Sequence, residues 1–268
     1  MKIKFNEREV EVSKKETVFG IKDRLKNYGD IIILNGFPIS ADCVLSEGDV
    51  VSVIKRGEKL SKEELKAVMM ARHTPFVYEK LEKSTVAVAG LGGLGSNIAI
   101  SLARIGVGKL IIIDFDVVEP SNLNRQNYYL EHLGMYKVDA TKEILEKVNP
   151  FIEVECHNQY LKEENIENLI SDADVVIEAF DKAECKAMIA NIVLTKCREK
   201  FFIGSSGMAG YFSSNTIKTR KITNKFYLCG DEENEAKVGT GLMAPRVCIA
   251  ANHMANMALR ILCEEYSI

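Results

Sequence analysis

No two of the seven cysteines stand in a CxxC spacing, which excludes the usual paired-cysteine zinc site and points to reduced thiols in a cytoplasmic protein, most of them small core residues. Only 5 prolines occur, with no internal repeat and no low-complexity tract, so a disordered tail or a fibrous array is excluded. No apolar run approaches the ~18 residues of a membrane span. The opening MKIKFNEREVEV alternates apolar and charged residues, unlike a secretory signal, so a cytoplasmic location without a membrane partner is expected. An excess of either charge is missing too. Against 38 Asp and Glu stand 35 Lys and Arg, a net charge of −3, without the basic surplus of a dedicated nucleic-acid binder. What is present is 47% hydrophobic and 27% charged over 268 residues, enough for one large domain or a medium one plus a small one.

Residues 1–5 and 9–12 alternate around Asn6, as in a hairpin. Residues 17–28 (TVFGIKDRLKNY) place Val18, Ile21, Leu25 and Tyr28 at helical spacing, with Gly29 as the stop. An apolar strand at 31–34, a turn at Asn35-Gly36 and a last strand at 49–55 follow. This order, with Asn35-Gly36 and GDVV at 48–51, resembles the small ubiquitin-like sulfur carriers and implies a β-grasp domain over residues 1–58. Residues 59–72 (KLSKEELKAVMMAR) then read as a helix, with Ser61 as N-cap and Glu63 and Glu64 in its first turn. It forms the core of a linker spanning residues 59–82.

From residue 83 to 268 apolar strands alternate with helices. Strands are expected at 85–89, 110–113, 152–156, 174–179 and 201–204, and helices at 96–105, 137–148, 163–170 and 182–198. The strands barely alternate, as expected where both faces of a parallel sheet are covered. Residues 212–228 do alternate and suggest an antiparallel pair, and residues 245–264 form a closing helix with Pro245 near its start.

The sequence GLGGLG at 90–95 follows a strand and opens a helix, the context that GxGxxG requires. Gly90, Gly92, Gly93 and Gly95 let backbone approach phosphate, and the helix N-terminus offers free N–H groups. Asp114 ends the next strand, where a carboxylate accepts ribose hydroxyls. These features suit NAD and ATP alike. Downstream, DFDVVEPSNLNRQ at 114–126 adds Asn122 and Arg125 as phosphate ligands, and Lys137 brings a point charge to the same place. Asp181 follows the strand at 174–179 and is the natural magnesium ligand. Nucleotidyl transfer needs such charge at the α-phosphate and the departing pyrophosphate, whereas hydride transfer does not.

GLGGLGS at 90–96 followed by DFDVVEPSNLNRQ resembles the ThiF/MoeB/HesA family, bacterial relatives of ubiquitin-activating enzymes, over about residues 65–260. AlaArgHis at 71–73, GMAGY at 207–211 and GLMAPR at 241–246 place the likeness nearest the ThiF branch. The resemblance implies an α/β fold with a Rossmann-like, mostly parallel sheet and antiparallel C-terminal strands, preceded by the ubiquitin-like β-grasp domain. It implies adenylation, with MgATP, of the C-terminal glycine carboxylate of a small ubiquitin-like sulfur carrier for thiamine biosynthesis. Gly93 then lies against the phosphates, Asp114 binds ribose, Asn122, Arg125 and Lys137 contact the triphosphate, and Asp181 positions magnesium. Arg72 resembles an arginine that reaches the partner subunit's ATP site, which implies a homodimer, and a cysteine desulfurase is the implied sulfur donor. Many relatives carry a zinc site of two CxxC pairs, and no zinc is expected here.

Two further departures matter. Lys182 stands where the MoeB-like pattern often has Asn. Cys229, the sole cysteine within 207–245, has acidic neighbours in LCGDEEN that raise a thiol pKa, so a non-catalytic thiol is expected. The first segment runs IKRGE at 54–58 into the linker without a diglycine, so it is not itself adenylated, and a docking or regulatory role is expected. The competing readings are an NAD-dependent oxidoreductase, a relative acting on the molybdopterin synthase carrier or a modified tRNA base, and a catalytically silent interaction protein.

Overall fold

The computed structural model of the chain describes residues 1–6, 8–57, 61–70 and 76–268. They divide into two units, Met1–Glu79 and Lys80–Ile268. In the first, β1 (Lys2–Phe5) and β2 (Arg8–Glu11) form an antiparallel hairpin. After α1 (Val18–Arg24) come β3 (Ile31–Leu34), the short β4 (Phe37–Pro38) and β5 (Val50–Ile54), giving the sheet order β2-β1-β5-β3-β4 with β1 and β5 parallel. Ile3, Phe5, Val18, Ile21, Ile32, Val51 and Val53 make the core between helix and sheet. The turn between β3 and β4 needs two left-handed residues, and Asn35 (φ 51°) and Gly36 (φ 81°) supply them.

Helix α1 is shorter than its periodicity predicts. Thr17 caps it by accepting the Gly20 N–H at 3.1 Å, but Lys26 turns left-handed at φ 51°. Its N–H donates to the Asp23 carbonyl and that of Asn27 to Lys22, a Schellman closure three residues before Gly29. Leu25 and Tyr28, placed at helical spacing with Val18 and Ile21, lie beyond the helix and are 40% and 81% exposed. Helix α2 (Lys62–Met70) belongs to this unit, and Ser61 and Glu64 form a reciprocal capping box at its start.

A five-residue helix, α3 (Val77–Leu81), leads to the second unit. There follow β6 (Thr85–Ala89), α4 (Gly93–Arg104), β7 (Lys109–Ile113), α5 (Lys137–Val148), β8 (Glu153–His157), α6 (Glu163–Leu169), β9 (Val175–Glu178), α7 (Ala183–Lys196), β10 (Phe201–Ser205), β11 (Lys218–Lys221), β12 (Phe226–Gly230) and α8 (Ala244–Leu262). The sheet order is β11-β12-β10-β9-β6-β7-β8, parallel throughout except for the pair β11 and β12. Ala87, Ala89, Ile111, Ile113 and Val176 face α6 and α7 through Ile166, Ile170, Ile189 and Ile192. On the other face α4 and α8 pack together, α8 also against β9 and β10. Both faces are covered, which is why the strands read as continuous apolar runs. The order in which strands are added reverses between β6 and β9, and the carboxyl ends there open a crevice. No described helix is long and apolar enough to cross a membrane.

Candidate nucleotide-binding site

Sheet register brings three loops to one edge. Ala89 pairs with Ile113 and with Glu178, so Gly90, Asp114 and Ala179 leave the sheet side by side. Gly90 adopts φ +95° with the Ala179 carbonyl only 2.8 Å from where a Cβ would sit, so any side chain there is both strained and obstructed. The crevice is a cavity of about 430 Å³ lined by Gly90, Gly92, Gly93, Asp114, Asn122, Arg125, Lys137 and Asp181. Eight residues read separately from the sequence thus meet at one place. Gly95 does not line it. A Cβ there would overlap the Gly90 carbonyl oxygen, so Gly95 lets helix α4 pack against the end of β6. Arg72 lies outside the described residues.

The glycine loop is held from behind. Asp114 Oδ2 accepts the Leu91 N–H at 2.6 Å, and the Tyr128 hydroxyl donates to the Leu91 carbonyl at 2.8 Å. Ser96 Oγ donates to the Gly92 carbonyl at 2.7 Å. No side chain caps the start of α4, whose N-cap is Gly92, so its first N–H groups remain for a ligand. At Gly92 the nearest atom to a Cβ would be Gln126 Nε2 at 3.9 Å, so the space beside it is open. Asp114 also takes the Asp116 N–H at 2.8 Å on Oδ1. Burial pushes its carboxyl above the usual range, against the pull of Lys137 and of these two backbone donors.

Cationic side chains also line the cavity. Lys137, first residue of α5, is buried with its Nζ 2.8 Å from Asp116 Oδ2. Arg125 donates from Nη1 to the Ser121 carbonyl (3.1 Å) and to Asn124 Oδ1 (2.8 Å), while its buried Nε has no partner among the described residues. Asn122 Oδ1 accepts the Glu119 N–H at 3.0 Å and so shapes the turn that presents Arg125. Asp181 is exposed in the loop after β9, and no hydrogen bond or ion pair among the described residues engages its carboxylate. Magnesium bound to a nucleotide keeps most of its ligands as water and phosphate oxygen and takes one or two carboxylates from protein. A free, hard oxygen donor facing the cavity fits that requirement, and no cluster of three metal-ligating side chains occurs among the described residues.

Glu178, Lys186, Ser205 and Gln126, in or behind this wall, escaped sequence reasoning. Glu178, the last residue of β9, is 1% exposed. It meets Lys186 of α7 and Ser205 of β10, both of which line the cavity. The available signal was a carboxylate inside an apolar strand, which cannot stay unpaired. Gln126, 7% exposed and also in the wall, has a buried Oε1 without a partner among the described residues. Cys229 lies within β12, fully buried, and burial pushes its thiol up to about 11. Iodoacetamide at pH 8 should therefore leave Cys229 unmodified in the native protein, as read by peptide mass spectrometry. Alkylation of native Cys229 would contradict this burial.

Comparison with known proteins completes the picture. The ThiF family matches residues 65–267, and the ThiS-like ubiquitin family matches residues 1–57. A molybdopterin-synthase adenylyltransferase of Haemophilus influenzae is 41% identical over 109 residues, 40% of this chain and 45% of that protein. A ubiquitin-like modifier-activating enzyme 5 of Caenorhabditis elegans is 47% identical over 81 residues, 30% of this chain and 19% of that protein. The matched regions thus span less than half the length of these curated relatives. Among solved structures, the Escherichia coli tRNA N6-threonylcarbamoyladenosine dehydratase in complex with AMP superposes with a TM-score of 0.68 at 19% identity, over 78% of this chain and 99% of that one. At that identity the likeness speaks for the fold.

Proposed function

The chain belongs to the ThiF family, and on that premise we propose that it is an adenylyltransferase that uses MgATP to activate the C-terminal carboxylate of a small ubiquitin-like carrier protein. The observation that carries this reading is the convergence of Lys137, the unpartnered Arg125 Nε and the uncapped start of α4 on one cavity, with Asp181 free at its rim. Such an arrangement suits a triphosphate. In this reading the glycine loop and α4 hold phosphate oxygens, and Asp114 accepts the ribose hydroxyls. A carrier carboxylate oxygen attacks the α-phosphorus, the bond to the bridging oxygen breaks, and pyrophosphate departs with the electron pair. No covalent enzyme intermediate is needed, so catalysis rests on in-line placement and on neutralising charge. Arg125 and Lys137 supply that charge, and magnesium held at Asp181 would add a Lewis acid on the phosphates. The homodimer, with Arg72 acting across it, belongs to the same proposal.

For the carrier we favour a sulfur carrier of the kind used in thiamine biosynthesis, supplied with sulfur by a cysteine desulfurase. Support comes from the ThiS-like match at residues 1–57, a module of that class fused to this chain. Incubation with ATP and candidate carriers, followed by carrier mass spectrometry, tests the reading. A carrier heavier by one adenylyl group, with carrier-dependent ATP–pyrophosphate exchange, is expected. Binding of NAD without binding of ATP would overturn it. Because the fused module has no diglycine, we assign it to docking of the true carrier. Deletion of residues 1–58 should then raise the KM for carrier several-fold with little change in kcat. An unchanged KM would leave the module a structural role only.

A further inference from the structure

The buried carboxylate of Glu178 has four donors around it. Oε1 accepts the Phe180 N–H at 2.6 Å and Lys186 Nζ at 2.8 Å, and Oε2 accepts the Ser205 N–H at 3.2 Å and, more weakly, Ser205 Oγ at 3.5 Å. Lys186 Nζ also donates to Ser205 Oγ at 2.7 Å and to the Ser205 carbonyl at 3.3 Å, so all three of its N–H bonds are committed. Lys186 borders the cavity yet has no donor left for a phosphate. Its charge is spent on pairing the Glu178 carboxylate at 2.8 Å in a strand that excludes water, where an unpaired carboxylate would be very costly. The outcome is mechanical. One carboxylate ties the N–H adjacent to Asp181 to the first turns of α7 and to the end of β10, where residues 206 and 207 start the loop along the opposite wall. Ala179, in the same short segment, abuts the Gly90 position of the phosphate loop.

We propose that Glu178, held by Lys186 and Ser205, is a positioning residue that fixes the 179–182 loop so that the Asp181 carboxylate stands ready in the cavity. This rests on the adenylyltransferase reading for the role of Asp181, but not for the geometry of the loop. Glu178 touches no substrate; it acts through the Phe180 N–H. The fixed loop spares the nucleotide the cost of ordering Asp181 at the moment of binding.

Two measurements separate this from a general structural role. Hydrogen exchange of the ligand-free full chain compares native protein with Glu178→Gln, an isosteric change that weakens the Phe180 and Lys186 bonds. Protection of the Phe180 amide should fall at least tenfold while that of β7, one strand beyond β6, is unchanged. Carrier-dependent ATP–pyrophosphate exchange is then measured in a double-mutant cycle with Asp181→Ala. Glu178→Gln alone should lower exchange about tenfold, and should add less than twofold to the loss already caused by Asp181→Ala. Equal loss in both backgrounds, or unchanged protection of the Phe180 amide, would overturn the proposal. If Glu178→Gln does not fold, Glu178→Asp takes its place, since it keeps the charge but draws the carboxylate back from the Phe180 N–H and Lys186 Nζ; the same two outcomes decide. Should native protein show no exchange with any carrier, the adenylyltransferase reading fails, while the hydrogen-exchange result still judges the loop.

Discussion

Arg125→Ala should lower carrier-dependent ATP–pyrophosphate exchange by about 10²–10³-fold, the loss typical when one preorganised charge-stabilising donor is removed. Part of the side chain serves the turn, since Nη1 is bonded to the Ser121 carbonyl and Asn124. The rest, including the unpartnered Nε, is left for a ligand. Arg125→Lys separates these duties: it keeps the charge but loses the planar fork, so it should recover only a small part of the rate. Asp181→Ala should produce a loss of similar size with a raised magnesium requirement, because no other described group engages that carboxylate and none is released by its removal. Thermal unfolding should be nearly unchanged for Asp181→Ala, an exposed side chain in a loop. Exchange at the native rate in either alanine variant would remove the assignment of these residues.

Much of this site was legible because sheet topology does the assembling. Apolar runs ending in glycine or aspartate mark strand ends, and in a parallel sheet those ends share one edge, so Gly90, Asp114 and Asp181 could be brought together from spacing alone. The helices of the second unit were legible for the same reason, through apolar faces that must meet a sheet. What stayed hidden depends on pairing between distant segments. Lys137 appeared as a free cation, whereas in the fold it is buried against Asp116. Glu178, Lys186 and Ser205 lie on three different elements, and nothing in their local sequence pairs them. Gly95 looked like its neighbours in the motif but serves helix–strand packing, a distinction made only by the carbonyl it would strike. The early end of α1 at Lys26 was missed because a left-handed lysine carries no sequence signal, while Gly29 carries a strong one.

Arg246→Ala shows how far the cavity depends on such a hidden pair. Arg246 opens α8 at 3% exposure, and its guanidinium bonds Asp231 through Nη2. Nη1 donates to the Phe212 and Ser213 carbonyls at 3.0 and 2.7 Å and to Thr216 Oγ1 at 3.1 Å, and Nε reaches the Met208 carbonyl at 3.3 Å. Asp231 in turn accepts the N–H groups of Glu233 (3.1 Å) and Asn234 (2.9 Å) and the Asn234 amide at 2.7 Å. The long segment between β10 and α8 is thus gathered around one ion pair, and it contributes Met208, Asn234 and Leu242 to the cavity wall. Removing the guanidinium strands a buried carboxylate and leaves several acceptors without donors, a loss of about 3–5 kcal/mol. For a unit of this size that lowers its Tm by roughly 6–20 °C. Replacing both partners with apolar residues should not restore stability, because the carbonyls served by Nη1 and Nε remain unpaired. Acid sensitivity should change as well. Burial alone would raise the Asp231 carboxyl, but the Asn234 and Glu233 donors and the Arg246 charge outweigh it and hold the group below the usual range. Its contribution is therefore full above the ordinary aspartate pKa, about 4, and is lost as pH falls below that toward the lowered folded value. Asp231→Asn should be less stable at neutral pH, and its deficit should shrink as the native protein is acidified below pH about 4. A Tm for Arg246→Ala within about 2 °C of native, well under the expected loss, would show that the segment is held by something other than this pair.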